Sequence, residues 1–196
     1  MFSLRPTIYR VILLTFISLV TPCLAKNITQ TYGNTSMEIN FDKPTEITRW
    51  RITNDNVMGG VSSGMMLIEN GFGMFSGNIS LDNNGGFSSV YRTIEPIAED
   101  IKKITIRVKG DGQRYQLRVI AHVDGYRVTY RHEFLTSQES PEQLTFNLAD
   151  FDPTFRGRIL SNAPALVADQ IKEIGFLITK KTPGPFTLSV ATISFE

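Results

Sequence analysis

Residues 115–134 read YQLRVIAHVDGYRVTYRHEF, two alternating runs joined by Asp124-Gly125. Asp-Gly favours a two-residue type I′ turn, because both central positions need positive φ. Such a turn fixes the register of its two strands. It sets Val123 opposite Tyr126, Ala121 opposite Val128, Val119 opposite Tyr130, Leu117 opposite His132 and Tyr115 opposite Phe134. Side chains alternate between faces along a strand, so this mostly apolar set is expected to face a core, Tyr126 and Tyr130 included. The other face pairs His122 with Arg127, Ile120 with Thr129, Arg118 with Arg131 and Gln116 with Glu133.

The preceding run, Ile104 to Lys109, enters this hairpin through Gly110-Asp111-Gly112. Read as a tight turn, that tripeptide adds Arg107 and Lys109 to the polar face. One face then carries Arg107, Lys109, Arg118, His122, Arg127 and Arg131 against the single acid Glu133. Opposed arginines destabilise a sheet unless an anion lies between them. Guanidinium forks suit carboxylates and hydroxyl-rich ligands. The competing expectation is a plain solvated face, since antiparallel sheets commonly leave one side wet.

The same signal continues along the chain. Leu144, Phe146 and Leu148 alternate with polar residues, as do Phe186, Leu188 and Val190, and Ile174 to Thr179 is nearly all apolar. Short helical turns are expected near residues 98–102 and 167–172. The pattern predicts an all-β chain of about ten strands, an antiparallel β-sandwich or jelly roll.

Residues 1–25 differ. Arg5 and Arg10 precede the apolar run Val11 to Val20, and Thr21-Pro22-Cys23-Leu24-Ala25 follows. A basic start, a short apolar segment and small residues before a break describe a secretory signal peptide cut after Ala25. The run is half the ~20 residues that span a bilayer. A lipoprotein reading of Cys23 is weakened by Pro22, where a small residue is expected. The chain then divides into a signal peptide (1–25), an extension (26–35) and one domain (36–196), placed outside the cytoplasm, periplasmic or secreted. Removal of residues 1–25 leaves 171 residues (196 − 25), 18 basic and 19 acidic, and no cysteine.

Composition excludes several classes. One Cys and two His among 196 residues rule out a disulfide scaffold and cysteine- or histidine-rich metal centres. A formal charge of +1 argues against a nucleic-acid partner. No cofactor is expected, although Asp82-Asn83-Asn84-Gly85 leaves room for one structural calcium ion held by loop oxygens. Gly60-Val61-Ser62-Ser63-Gly64 fits the G-x-S-x-G elbow pattern, but a strand-like run rather than a helix follows it. The chain reads as a non-enzyme.

Five clusters remain: Trp50 with NDNVMGGVSSG (54–64), DNNGGFSSVYRT (82–93), KGDGQRYQL (109–117), FDPTFRGR (151–158) and IGFLITKKTPGPFTLSVATI (174–193). In this order and spacing they resemble the complex I intermediate-associated protein 30 family. The resemblance spans residues 36–196. It implies a galactose-binding-like β-sandwich, similar to some carbohydrate-binding modules, with an assembly-factor or chaperone-like role in binding a protein client. A secretory signal departs from that setting. By themselves, the Asn and Gly residues of these clusters suit turns. A loop-rim site of Trp50, Asn54 and Asp55 is the functional alternative. Two functions follow: a non-enzymatic protein-binding module, or an extracytoplasmic carbohydrate-binding module. Core-facing Tyr126 and Tyr130 favour the first, because sugar binders expose aromatic rings.

Overall fold

The turn residues Asp124 and Gly125 have φ of 49° and 82°, and the hairpin they close has the register that Asp-Gly dictates, from Val123–Tyr126 through Arg114–Leu135. The computed structural model describes residues 36–155 and 157–196. The signal peptide and the extension lie outside the described residues.

Among the described residues, thirteen strands form two antiparallel sheets. The first sheet contains β1 (Met37–Asn40), β3 (Ser63–Glu69), β4 (Phe72–Ile79), β6 (Lys103–Lys109), β9 (Glu142–Asn147) and β13 (Gly184–Phe195). Its order is β3-β4-β13-β6-β9, with β1 also paired to β13. The second contains β2 (Trp50–Asn54), β5 (Phe87–Thr93), β7 (Arg114–Val123), β8 (Tyr126–Leu135), β10 (Asp152–Phe155), β11 (Arg158–Ile159) and β12 (Ile171–Thr179). Its order is β11-β10-β8-β7-β12-β5-β2. The count exceeds ten because β1, β10 and β11 have four, four and two residues, too few to show alternation.

The two sheets enclose one apolar layer. Ile104, Ile106, Val108, Phe75, Leu188, Val190 and Ile193 of the first sheet join Leu117, Val119, Tyr130, Ile174 and Phe176 of the second in one cluster, none more than 1% exposed. Each such aliphatic or aromatic side chain contributes roughly 1.5–3 kcal/mol by leaving water. Trp50 belongs to this layer, stacked between Phe41 and Phe176 at 5.6 and 6.5 Å.

Three expectations are corrected. Gly110-Asp111-Gly112 does not join neighbouring strands. It carries the chain from β6 in one sheet to β7 in the other. Asp111 fastens this crossing: its carboxylate accepts from the Thr187 amide (2.8 Å), the Tyr115 hydroxyl (3.1 Å) and the Gln113 amide (3.1 Å). A Cβ on Gly110 would run into Thr136, so only glycine fits the approach. Arg107 and Lys109 therefore sit on the opposite sheet from Arg118, His122, Arg127 and Arg131. Tyr126 is 76% exposed. It lies at the hairpin tip, past the rim of the core, whereas Tyr130, four residues further in, is fully buried. Ile120, read as part of a wet face, is 1% exposed.

Candidate functional site

The outward face of the second sheet gathers the polar side chains. Cross-strand neighbours share a face, and the registers align Arg51 (β2), Tyr91 (β5), Gly175 (β12), Arg118 (β7) and Arg131 (β8) in one row across five strands. Asp152 on β10 continues the row beside Arg131.

Gly175 sits at the centre of this row. A Cβ there would meet the Val90 carbonyl and the Tyr91 ring. Its absence lets Tyr91 lie across β12 and bring its hydroxyl to 3.3 Å from Arg118 Nη1, which donates to it. Arg51 stacks on the other side, its guanidinium carbon 5.1 Å from the Tyr91 ring centre.

A polar chain runs on from Arg118. Arg118 Nε donates to Gln116 Oε1 (3.1 Å), and Gln116 Nε2 donates to Glu133 Oε1 (3.2 Å). Arg131 approaches the same Glu133 oxygen at 3.8 Å. Glu173 collects two more arginines: Arg51 is bound to it, and Arg127 lies 3.7 Å away. The floor beneath is closed, with Tyr91, Leu177, Gln116 and Ile120 all buried. The arginines above it range from half-buried to exposed, and His122 is exposed.

Two features give this face a capacity for anions. Arg51, Arg114, Arg118, Arg127 and Arg131 outnumber Glu133, Glu173 and Asp152. Moreover, Arg131 Nε is a buried donor with no partner. Sequence reasoning missed Arg51, Tyr91, Glu173 and Asp152. They lie up to 122 residues apart, and nothing local marks which face each occupies.

The Trp50, Asn54 and Asp55 group is built into the fold instead. Trp50 is 8% exposed and donates its indole N–H to Glu46 at 3.1 Å. Asn54 accepts from the Ser88 hydroxyl at 2.7 Å. Asp55 is fully buried. It accepts from the amides of Ser62 (2.9 Å), Gly86 (2.7 Å) and Phe87 (3.2 Å), and from the Ser62 hydroxyl. Burial alone pushes the Asp55 carboxyl up, but these hydrogen bonds outweigh it and hold the group below its ordinary range. Side chains on Gly60 or Gly85 would strike the carboxyl group. Asp55 thus ties residues 55–62 to the start of β5.

Ser62 is used up by the same network, since its hydroxyl also contacts the backbone of Ser80. Gly64 follows in strand β3, so no strand–turn–helix elbow forms. His132 packs against Phe146 and Phe151 at 4.8 and 5.7 Å. Among the described residues, no three His, Cys, Asp or Glu side chains converge as metal ligands. No helix among them is long and apolar enough to cross a membrane.

The family model for complex I intermediate-associated protein 30 matches residues 39–190. No curated protein matches the chain. Among solved structures, the family 11 carbohydrate-binding module of the cellulosomal cellulase Lic26A-Cel5E of Clostridium thermocellum superposes with a TM-score of 0.62. The two are 12% identical over 82% of this chain and 93% of that one. The Clostridium thermocellum family 11 module in complex with a β-1,3-1,4-mixed-linked tetrasaccharide gives 0.60, at 14% identity over 81% and 94%. A CBM4 structure gives 0.50, at 15% identity over 80% and 96%. At these identities the likeness establishes the fold alone, an antiparallel β-sandwich.

Proposed function

The chain belongs to the complex I intermediate-associated protein 30 family, and from that premise we propose a non-catalytic binding module that takes a carboxylate-bearing, hydroxyl-rich chain, an acidic glycan, on the outward face of its seven-stranded sheet. The observation that carries this reading is the Tyr91–Arg118–Gln116–Glu133 chain, with the unsatisfied Arg131 Nε beside it. Alternating donors and acceptors across a sheet match the alternating hydroxyls of a sugar chain. The surplus of arginine adds a preference for carboxylates, which guanidinium groups bind in forked pairs. The structural likeness to modules described as carbohydrate-binding supports it.

The signal-like residues 1–25 support a place outside the cytoplasm, where glycans are met. Of the aromatic rings weighed for sugar stacking, Tyr126 is exposed at the hairpin tip, while Tyr91 lies buried beneath the arginines.

Calorimetric titration tests the reading. Oligogalacturonate should bind, more weakly at higher salt. The neutral mixed-linked β-glucan tetrasaccharide should bind at least about tenfold more weakly, a difference worth about 1.4 kcal/mol. Equal or absent binding of the two sugars sinks it. The family's description favours a second reading, an acidic protein client on the same face. Binding of poly-glutamate peptide with no sugar response would select that one.

A further inference from the structure

Three loops at one end of the sandwich are locked into one unit. Residues 55–62 join β2 to β3, residues 80–86 join β4 to β5, and residues 180–183 join β12 to β13. Asp55 binds the Gly86 amide, Asn83 Nδ2 donates to the Gly59 carbonyl at 3.0 Å, and the Lys180 amide donates to the Gly86 carbonyl at 3.0 Å. From this platform Val57, Met58, Val61 and Leu81 project with 68%, 67%, 56% and 38% of their surface exposed.

We propose that this end of the domain docks onto an anionic lipid surface, with Val57, Met58, Val61 and Leu81 entering the interfacial layer. It stands apart from the arginine-bearing face and goes beyond the glycan reading. Three observations converge. The apolar side chains stand on loop tips rather than lining a groove. A standard protein interface takes about 800 Å² from each partner, more than four side chains supply, whereas shallow insertion into lipid needs only tips.

The backbone at the tip is also paired with itself. The amides of Gly59 and Gly60 bond to the carbonyls of Asn56 and Asp55 at 3.1 Å, and the Gly59 carbonyl is taken by Asn83. Unpaired backbone groups are expensive in an apolar layer, and these bonds satisfy the turn at Gly59 and Gly60. Finally, the charges around the tips suit anionic headgroups. Lys181 is exposed and Lys180 half-buried, and Asp82 is the one exposed carboxylate among these loops. The Lys180 ammonium also donates to the Pro185 carbonyl at 3.2 Å, which holds its charge at the rim. Basic groups near an anionic bilayer add attraction that salt screens.

The test is co-sedimentation of residues 34–196, the compact unit that holds every described strand. The vesicles are phosphatidylcholine alone, or phosphatidylcholine with about 30% phosphatidylglycerol. The wild-type unit should sediment with the anionic vesicles and less so at high salt. Val57→Ser with Met58→Ser should lower that binding at least about tenfold. Lys180→Gln with Lys181→Gln should remove the preference for phosphatidylglycerol. Both variants should melt like the wild type and keep oligogalacturonate binding, which separates this result from the glycan reading. Failure of the wild type to sediment, or unchanged binding by the Val57/Met58 variant, overturns the proposal. So does a wild-type dimer that the same variant dissociates without any vesicle binding, which assigns the tips to a second copy of the chain.

Discussion

Arg118 and Arg131 stand directly opposite each other on β7 and β8, and they turn to different partners. Arg118 reaches along its strand to Gln116 and across β12 to Tyr91, while Arg131 leans toward Glu133 and leaves its Nε unpaired. Facing like charges oppose strand pairing, and here the two are separated by turning to Gln116 and Tyr91 on one side and Glu133 on the other.

Reversing both charges tests the face as a binding site. Arg118→Glu with Arg131→Glu should abolish oligogalacturonate binding in calorimetry. The unfolding midpoint should fall modestly, because the new carboxylates face each other beside Glu133 and Asp152, while circular dichroism should still report the folded sandwich. Retained binding would remove the face from the site.

Asp55 gives a stability prediction. Asp55→Asn places an amide donor among four donors, and should cost about 2–4 kcal/mol in urea unfolding. Its sign with pH follows from the depressed folded-state value. The stabilisation is full above the ordinary value of 3.8 and is lost as pH falls through the lower folded-state value. Wild type and variant should therefore converge in stability as pH drops below about 4. A gap that persists unchanged at low pH contradicts the role given to the carboxylate.

The hairpin register and its burial predict different outcomes at three positions. Val119 is fully buried, and Val119→Asp should destabilise by several kcal/mol, on the order of 3. Thr129→Asp, on the arginine-bearing face, should be close to neutral. Ile120→Asp should also destabilise, despite sharing the face of Thr129, because Ile120 is buried beneath the arginines. Denaturant midpoints for the three variants decide the matter.

Much of this hairpin was legible because its turn chemistry is local. Asp-Gly demands one geometry, and the register follows residue by residue. The sheet crossing was not legible, because Gly-Asp-Gly serves a hairpin and a crossing alike. What decides it is the Asp111 contact with Thr187, 76 residues away. Tyr91 was hidden for a related reason. In Phe87–Thr93 both faces are largely buried, so alternation could not tell the core side from the outward side. The glycines and Asp55 of residues 54–64 read correctly as turn-formers, yet their partners Gly86 and Phe87 lie 31 and 32 residues on.

Asp111 predicts an alkaline counterpart to the acid effect. Burial first, and then the adjacent Asp111 charge, push the Tyr115 hydroxyl well above its usual value of 10. A folded-state value raised in this way gives stability that is full below pH 10 and lost as pH rises beyond it. Asp111→Ala should cost about 2 kcal/mol at neutral pH by leaving the Thr187 amide and Tyr115 hydroxyl unpaired. Absorbance at the tyrosinate band should show Tyr115 ionising only as the protein unfolds. An early, reversible rise would contradict this.

The signal-peptide expectation predicts Lys26 as the first residue of the mature protein, read by mass spectrometry. Retained Met1, or a lipid on Cys23, contradicts it.

Strand β13 pairs with β4 and β1 along one edge and with β6 along the other, so the last strand in chain order is the centre of its sheet. Strands separated by more than a hundred residues wait for it. A chain emerging from the ribosome cannot close this sheet until residue 195 has been made, and pairings so distant in sequence form slowly. The nascent polypeptide therefore keeps this sheet open until β13 is made, and β1, β4 and β6 stay without their central partner up to that point.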